Sequence, residues 1–407
     1  MNFFTGLYLF LFFFGFYFII IFLFLHHRNA KKLFSSPSFS RLPTISVLVP
    51  AYNEEKSIKD TLEALLAVDY PASKKEIIVL NDGSTDNTAT IVRTFTRLHS
   101  NIILIDKQNS GKADSLNKGI ARAKGELIAV VDADSYPAPD AFKKMIGHFE
   151  DPAVAAVTSR VLVKNKRGIL ERFQVLDYSI IAWTRKLLDF VDSVYVTNGP
   201  LSMYRRKVVT KLGGFDTRNL TEDIEITWHI LSKGYRTRMS YDAVVYTTVP
   251  TTLSVWIKQS VRWNLGGLQT VQKYWKAMLR ESSFGQFVIP YVSASFALAL
   301  LGFLLLVRYF YIKGTYHISS LYYSLQGYHF WKYLDFSLSF SLLFFFGLLF
   351  LGLALYYYKL GFKHSQTGNK SILKILMYSF FYRSLYIIPL LLALYKLARG
   401  DIRWYTK

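Results

Sequence analysis

Asp132 and Asp134 are the residues in this chain best suited to chemistry by type and position. They close the apolar run Leu127-Ile128-Ala129-Val130-Val131. A run of that length bounded by polar residues predicts a buried strand of a parallel sheet. Ligands of open α/β sheets sit at the carboxyl ends of such strands. Two carboxylates one residue apart repel unless a cation or a donor lies near them. Their oxygens suit Mg²⁺ or Mn²⁺, ions that keep waters and also bind a diphosphate. Alone, the pair equally fits a solvated loop. Three further groups stand at informative places. Lys112 precedes a helix and could reach a phosphate or the acids; it could also be a solvated surface lysine. Glu222 and Asp223 open an apolar helical pattern, where acids also serve as ordinary N-terminal helix charges. Gln259, Arg262 and Trp263 fall within an amphipathic stretch.

The elements that must position these residues are legible in order. Ile45 to Pro50 predicts a first strand, ending in Ala51-Tyr52-Asn53-Glu54-Glu55. A helix carrying Ile58, Leu62, Leu65 and Leu66 follows. Glu76 to Leu80 predicts a second strand, ending in Asn81-Asp82-Gly83-Ser84-Thr85-Asp86. Asn101 to Ile105 and Leu127 to Val131 make a third and fourth. Strands alternating with helices predict a mainly parallel α/β sheet. Tyr52, Glu54, Asp82 and Asp132 then gather at strand ends on one edge, as a nucleotide crevice requires. No Walker A loop or Gly-x-Gly-x-x-Gly occurs, so ATPase and dinucleotide readings lack support.

The 407 residues are 51% hydrophobic and 17% aromatic, with mean hydropathy +0.21. That exceeds an ordinary soluble protein and predicts a membrane protein. The formal net charge of +21 fits cytoplasmic Lys/Arg and contact with anionic membrane lipid. No nucleic-acid-reading motif is present, so no nucleic-acid partner is expected. The chain has no cysteine, which excludes disulfides, thiolate catalysis and thiolate-bound zinc. Phe3 to Leu25 is a charge-free run long enough to span a bilayer. It lacks the flanks of a cleaved signal peptide, and an N-terminal transmembrane helix over 1–27 is expected. Arg28, Lys31, Lys32 and Arg41 lie in a basic linker, 28–43. By the positive-inside rule they place an α/β domain, 44–252, in the cytosol. Residues 253–283 predict an amphipathic interfacial region. Apolar stretches at about 284–307, 334–357 and 375–397 make a C-terminal membrane region, 284–397, before a basic tail, 398–407. Three late spans would carry the tail outside, yet Lys396, Arg399, Arg403 and Lys407 favour the cytosol. The last stretch, which holds Arg383 and Pro389, is therefore expected to lie in the interface or re-enter.

Taken together, Val-Pro-Ala-Tyr-Asn-Glu (49–54), Asn-Asp-Gly-Ser-Thr-Asp (81–86), Lys-Ala-x-x-Leu-Asn (112–117), Asp-Ala-Asp (132–134), Thr-Glu-Asp (221–223) and Gln-x-x-Arg-Trp (259–263) resemble the processive, membrane-embedded family 2 glycosyltransferases. These include cellulose, chitin-oligosaccharide, hyaluronan and poly-N-acetylglucosamine synthases. The ordered set covers roughly residues 44 to 280. Thr221 to Ile224 and Arg262-Trp263-x-x-Gly266-Gly267 resemble the poly-N-acetylglucosamine group. Gly199-Pro200-Leu201-Ser202-x-Tyr204-Arg205-Arg206 resembles the hyaluronan and chitin-oligosaccharide groups. Ser115, where Ala is more usual, and the single span before the α/β domain depart from the pattern.

The resemblance implies a GT-A-type nucleotide-sugar-binding sheet domain with transmembrane and interfacial helices, located in the plasma membrane. It implies an inverting enzyme that polymerises a UDP-sugar, UDP-N-acetylglucosamine above all, into a β-linked polysaccharide and translocates it. Single transfer to a lipid-linked acceptor is the alternative. Tyr52, Glu54, Asp82, Lys112, Asp132, Gln259, Arg262 and Trp263 would bind the donor. Asn198, Gly199, Glu222, Asp223 and Trp263 would face the acceptor. Asp134 would ligate the Mg²⁺ or Mn²⁺, and Asp223 would be the general base. Expected partners are the UDP-sugar, the growing polysaccharide and membrane lipid, with an accessory secretion subunit or a second copy of the chain.

Overall fold

The computed structural model describes residues 3–325, 342–363, 365–366 and 371–400. Its centre is an eight-stranded sheet in the order β3-β2-β1-β4-β7-β6-β8-β5. The strands are β1 (Ile45–Ala51), β2 (Lys75–Asp82), β3 (Ile102–Lys107), β4 (Leu127–Val130), β5 (Ser135–Pro137), β6 (Val154–Val163), β7 (Ser202–Arg205) and β8 (Arg236–Thr247). β1 pairs in parallel with β2 and β4, and β2 with β3. This half matches the expected parallel sheet. The other half is mixed. β7 runs antiparallel to both β4 and β6, while β6 and β8 are parallel. The sheet is thus wholly parallel only in the half where strands β1 to β4 alternate with helices.

Apolar side chains leave both faces of β1 and β2. Val47, Val49, Ile77 and Val79 enter one core with Leu62 and Leu65 of α2 (Ile58–Leu66), Val92 of α3 (Thr88–Leu98), and Phe142 and Met145 of α5 (Ala141–Ile146). Leu48, Ile78 and Leu80 enter a second core. There they meet Leu116 and Ile120 of α4 (Lys112–Arg122), Val208 and Val209 of α7 (Arg206–Lys211), and Ile226 and Ile230 of α8 (Glu222–Ser232). Burial on both faces explains why these strands read as continuous apolar runs rather than alternating ones.

A third core joins this domain to apolar helices. Trp183 and Leu187 of α6 (Ile169–Asp189) pack with Phe22 of α1 (Phe3–Asn29) and with Trp256 of α9 (Leu253–Tyr274). α9 is the amphipathic stretch read in the sequence. α10 (Ile289–Leu325) and α11 (Leu342–Gly361) follow. Then comes a bent segment: α12 (Ile372–Met377), a π turn at Tyr378–Tyr382, a 3₁₀ turn at Arg383–Tyr386, and α13 (Ile387–Ala398).

Three regions, Phe3–Lys32, Phe284–Ile312 and Ile372–Ala398, are long and apolar enough to cross a membrane among the described residues, and Phe345–Gly361 is a shorter apolar helix. Their packing fixes relative direction. Phe18 meets Tyr291, the Tyr8 hydroxyl donates to the Leu305 carbonyl, and Arg308 lies over Phe4. α10 therefore runs antiparallel to α1. Phe12 meets Phe350 and Phe22 meets Tyr357, so α11 runs parallel to α1. The expected apolar stretch at 334–357 falls partly outside the described residues, as do Arg403 and Lys407 of the basic tail.

Candidate active site

Two loops form the edge at the carboxyl ends of β1 and β2, and their own polar groups bind them together. Asn53 adopts a left-handed conformation at φ 54°, which asparagine tolerates better than most residues. Its Oδ1 accepts from the Thr85 amide at 2.8 Å, and its own amide donates to Ser84 Oγ at 3.0 Å. The Glu54 amide donates to Thr88 Oγ1 and the Glu55 amide to Asp86 Oδ2. Much of Asn81 to Asp86 is therefore a staple between the ends of β1 and β2. Tyr52 and Glu54 are half-buried at this edge, and Glu54 accepts from Ser57 Oγ at 2.7 Å. Asp82 is buried. Its carboxylate accepts from Lys107 and from the amides of Ser110 and Gly111. It thereby shapes the turn that delivers Lys112 to the start of α4.

Lys112 is the hub. Its Nζ lies 2.7 Å from Asp132 Oδ1 and 2.7 Å from Glu222 Oε1. Residues from the start of α4, the end of β4 and the start of α8 thus share one ammonium. Burial opposes the Lys112 charge, but Asp132, Glu222 and Asp223 outweigh it and raise its pKa. Burial alone would raise Glu222 as well; the adjacent ammonium reverses this and holds it below the ordinary glutamate value. Asp223 has no such direct partner. Burial, then the neighbouring Glu222 charge, push it up to about 6, against the opposing pull of Lys112. One acid of the pair is held ionised and the other is poised near neutrality, the pattern of separated acid and base roles.

The backbone here admits no larger residue. A Cβ on Gly199 would stand 2.6 Å from Asp132 Oδ2 and 3.1 Å from Lys112 Nζ. Asn198 turns inward: its amide group pairs with Thr158 Oγ1 and the Ser159 carbonyl, so its side chain anchors the loop that presents Gly199. Thr197 Oγ1 joins Tyr204 and Thr227 at 2.8 and 2.6 Å, and Thr227 Oγ1 donates to the Asp223 carbonyl. This chain of hydroxyls fixes the first turn of α8, and with it Asp223.

α9 approaches from the other side. A Cβ on Gly266 would fall 2.1 Å from Thr221 Oγ1, so α9 lies directly on the residue before Glu222. The Leu220 amide donates to Gln269 Oε1, and Asn219 donates to Thr270 Oγ1. Gln259, Arg262 and Trp263 are half-buried on this helix. Arg262 is close enough for its charge to favour ionisation of both Glu222 and Asp223.

Asp134 is half-buried, with Ser135 Oγ 3.4 Å from Oδ1. Among the described residues no cluster of three His, Cys, Asp or Glu could hold a metal by itself. The carboxylates of Asp132 and Asp134 nevertheless have the chemistry for a hard cation. Mg²⁺ commonly takes one or two protein carboxylates and leaves its remaining positions to water and phosphate. The donor set fits an ion that arrives with a diphosphate.

Some contributors left little trace in the sequence. Thr197 and Thr227 are ordinary residues there, with only the spacing of Thr227 one turn after Asp223 to hint at a role, and Tyr204 entered only as part of the Gly199 to Arg206 motif. Tyr178 of α6, whose pKa is raised by burial and then by the Asp177, Asp134 and Asp132 charges, is marked by no motif.

The fold and site define an α/β domain with an acidic crevice at its strand ends, carried on apolar helices. The chain belongs to the Glycosyltransferase like family 2, whose profile matches residues 43–266. It is 33% identical over 252 residues to a poly-beta-1,6-N-acetyl-D-glucosamine synthase of Staphylococcus aureus, and 32% identical over 249 residues to one of Staphylococcus epidermidis. The matches take in 61% of this chain and 61% and 60% of those relatives, so part of each relative has no counterpart in the match. A mannosyltransferase from Pyrobaculum calidifontis, solved with GDP-Man and Mn²⁺, superposes with TM-score 0.52 at 24% identity, covering 71% of this chain and 87% of that one. That likeness shows a GT-A-like fold.

Proposed function

We propose that this protein is a membrane-embedded, inverting, processive glycosyltransferase that extends a β-linked polysaccharide from UDP-N-acetylglucosamine and passes it across the membrane. The observation that carries the reading is the cluster at Lys112, where one ammonium ties Asp132 to Glu222 beside an Asp223 poised near pH 6. The likeness to the staphylococcal poly-N-acetylglucosamine synthases supports the sugar.

Tyr52, Glu54 and Asp82 stand at the strand ends where a uridine would lie. Lys112 and Asp132 form a preset charge pair at the diphosphate position, and Arg262 adds a second cation. Asp134, with Asp132 beside it, would hold Mg²⁺ or Mn²⁺; when bound, the ion neutralises charge on the departing UDP. Asp223 takes the proton of the acceptor hydroxyl as that oxygen attacks the anomeric carbon. An α-linked donor then gives a β-linked product in one displacement. A base must be ionised at working pH yet basic enough to accept a proton, and a carboxyl near 6 meets both demands. Trp263 offers an apolar face to the acceptor sugar, while Asn198 and Gly199 shape the floor beneath it.

Topology follows the same reading. If α1 enters the cytosol at its C-terminal end, antiparallel α10 leaves and parallel α11 returns. Residues 372–398 then lie on the catalytic side, against α6 and α9, at the cytosolic face of the plasma membrane.

The test is to supply the chain in membranes with each UDP-sugar in turn, plus Mg²⁺ or Mn²⁺, and to measure UDP release and product size. Long polymer from UDP-N-acetylglucosamine is expected. One sugar added to a lipid would establish single transfer instead, and no UDP release from any donor would reject the reading.

A further inference from the structure

Asp177 of α6 is a buried acid outside the Lys112 cluster. It is 2% exposed, and its partners all come from the bent C-terminal segment. The Tyr378 hydroxyl donates to Oδ1 at 2.7 Å, Arg383 Nη1 lies 3.3 Å from the same oxygen, and the Tyr386 hydroxyl donates to Oδ2. The spacings between these donors are five residues and then three. Those are the repeats of the π turn at Tyr378–Tyr382 and the 3₁₀ turn at Arg383–Tyr386. In a regular α-helix Arg383 and Tyr386 would share a face, but Tyr378 would stand about 140° away from Arg383. The two irregular turns bring them onto one carboxylate. Such turns recur at functional sites.

The same segment grips α9. Tyr382 stacks on Phe173 of α6 at 5.3 Å, and its hydroxyl accepts from Trp256 Nε1 at 3.1 Å. Trp256 also meets the Tyr386 ring edge-on at 5.0 Å. Further along, Ala393 of α13 is buried against Val261 and Leu265 of α9. Trp256 lies one and two helical turns before Gln259 and Trp263.

We infer that Asp177, with Tyr378, Arg383 and Tyr386, is a latch through which the bent C-terminal segment positions α9, so that the placement of Trp263 against the acceptor and of Arg262 at the diphosphate depends on it while the Lys112, Asp132 and Glu222 cluster does not. Asp177 is a positioning residue, since it contacts neither the acids nor α9 itself. A buried carboxylate is tolerated only with its partners in place, so the latch has one closed arrangement and sets α9 in a single register. The idea rests on the proposed glycosyl transfer for its functional consequence, and on packing alone for its structural one.

The experiment compares the full-length wild type with Asp177→Asn in nanodiscs. Asn keeps the shape but loses the charge and one acceptor oxygen. The readouts are UDP-sugar affinity, KM and rate with an acceptor oligosaccharide, product length, and hydrogen exchange of the amides over 256–263. Transfer lower by about 10- to 100-fold as expected for a misplaced reactant, a smaller loss of donor affinity, shorter product, and faster exchange confined to α9 would establish the latch. Equal loss of donor binding and transfer, or unchanged exchange in α9, would overturn it. Should Asp177→Asn fail to fold, Tyr386→Phe removes one donor and keeps the ring. The same split at smaller size is expected, and its absence refutes the latch. A wild type that releases no UDP would reject the transferase reading, and the exchange measurement would still decide the latch by itself.

Discussion

Asp223→Asn separates chemistry from binding and from stability in one variant. Asn preserves size and can still accept from the Ile224 amide, as Asp223 Oδ1 does at 2.9 Å. It cannot take a proton from the acceptor. Transfer should fall by roughly 10²- to 10⁴-fold, the usual worth of a general base. Donor affinity should stay near wild type, because Lys112, Asp132 and Glu222 keep their bonds. Stability should move the other way. The folded pKa of about 6 stands some two units above the ordinary 3.8, which is about 3 kcal/mol against the ionised form. The sign follows from proton uptake. Between the two values the folded chain binds the proton and the unfolded chain does not, so wild-type stability declines as pH rises from about 4 to about 6. Asn carries no charge and escapes this decline. It loses a helix N-terminal charge worth roughly 0.3–1 kcal/mol, leaving a net gain of about 2 kcal/mol above pH 6 and none below pH 4. Donor titration, coupled UDP release, and thermal melts at pH 4 and 7.5 on the same preparation give all three answers. A variant that is less stable at pH 7.5 yet turns over normally would reduce Asp223 to a helix-end charge and refute the mechanism.

Four further outcomes are expected. Wild-type transfer should rise with pH on a limb with apparent pKa near 6, a limb absent from any residual activity of Asp223→Asn; a rate flat from pH 5 to 8 would contradict the base assignment. Gly199→Ala forces a Cβ to 2.6 Å from Asp132 Oδ2, so the carboxylate that pairs with Lys112 through Oδ1 must shift and donor affinity should drop about tenfold, about 1.4 kcal/mol; unchanged affinity in a titration would show that the placement of Asp132 is dispensable. Asp134→Ala, or EDTA on the wild type, should abolish UDP release, and turnover undiminished by chelation would remove the metal. A cysteine placed at Gly400, just after α13, should resist impermeant reagents in intact cells, while labelling from outside would overturn the proposed topology.

The amino-acid sequence by itself determined the local pieces. Burial on both faces made β1, β2 and β4 legible as apolar runs, and acids at their ends marked the edge that binds. The amphipathic period disclosed α9, and charge-free length disclosed α1. Each of these is written within a few neighbouring residues. Other properties exist only between distant ones. The half of the sheet around β6, β7 and β8 is mixed, because its pairing depends on where long connections return. Asp82, read as a ligand for the nucleotide, spends bonds on Lys107, Ser110 and Gly111, and much of the Asn81 to Asp86 run staples two loops. Lys112 became the hub only when folding set it between Asp132 and Glu222, where its ammonium lowers Glu222, while burial and the Glu222 charge raise Asp223. Asp177 carries no motif, for its three partners lie about two hundred residues away. A pKa, a tolerated buried charge and a glycine with no room for a methyl group are sums over neighbours in space. The local pattern names the groups able to act, and tertiary contact decides which of them are left to do so.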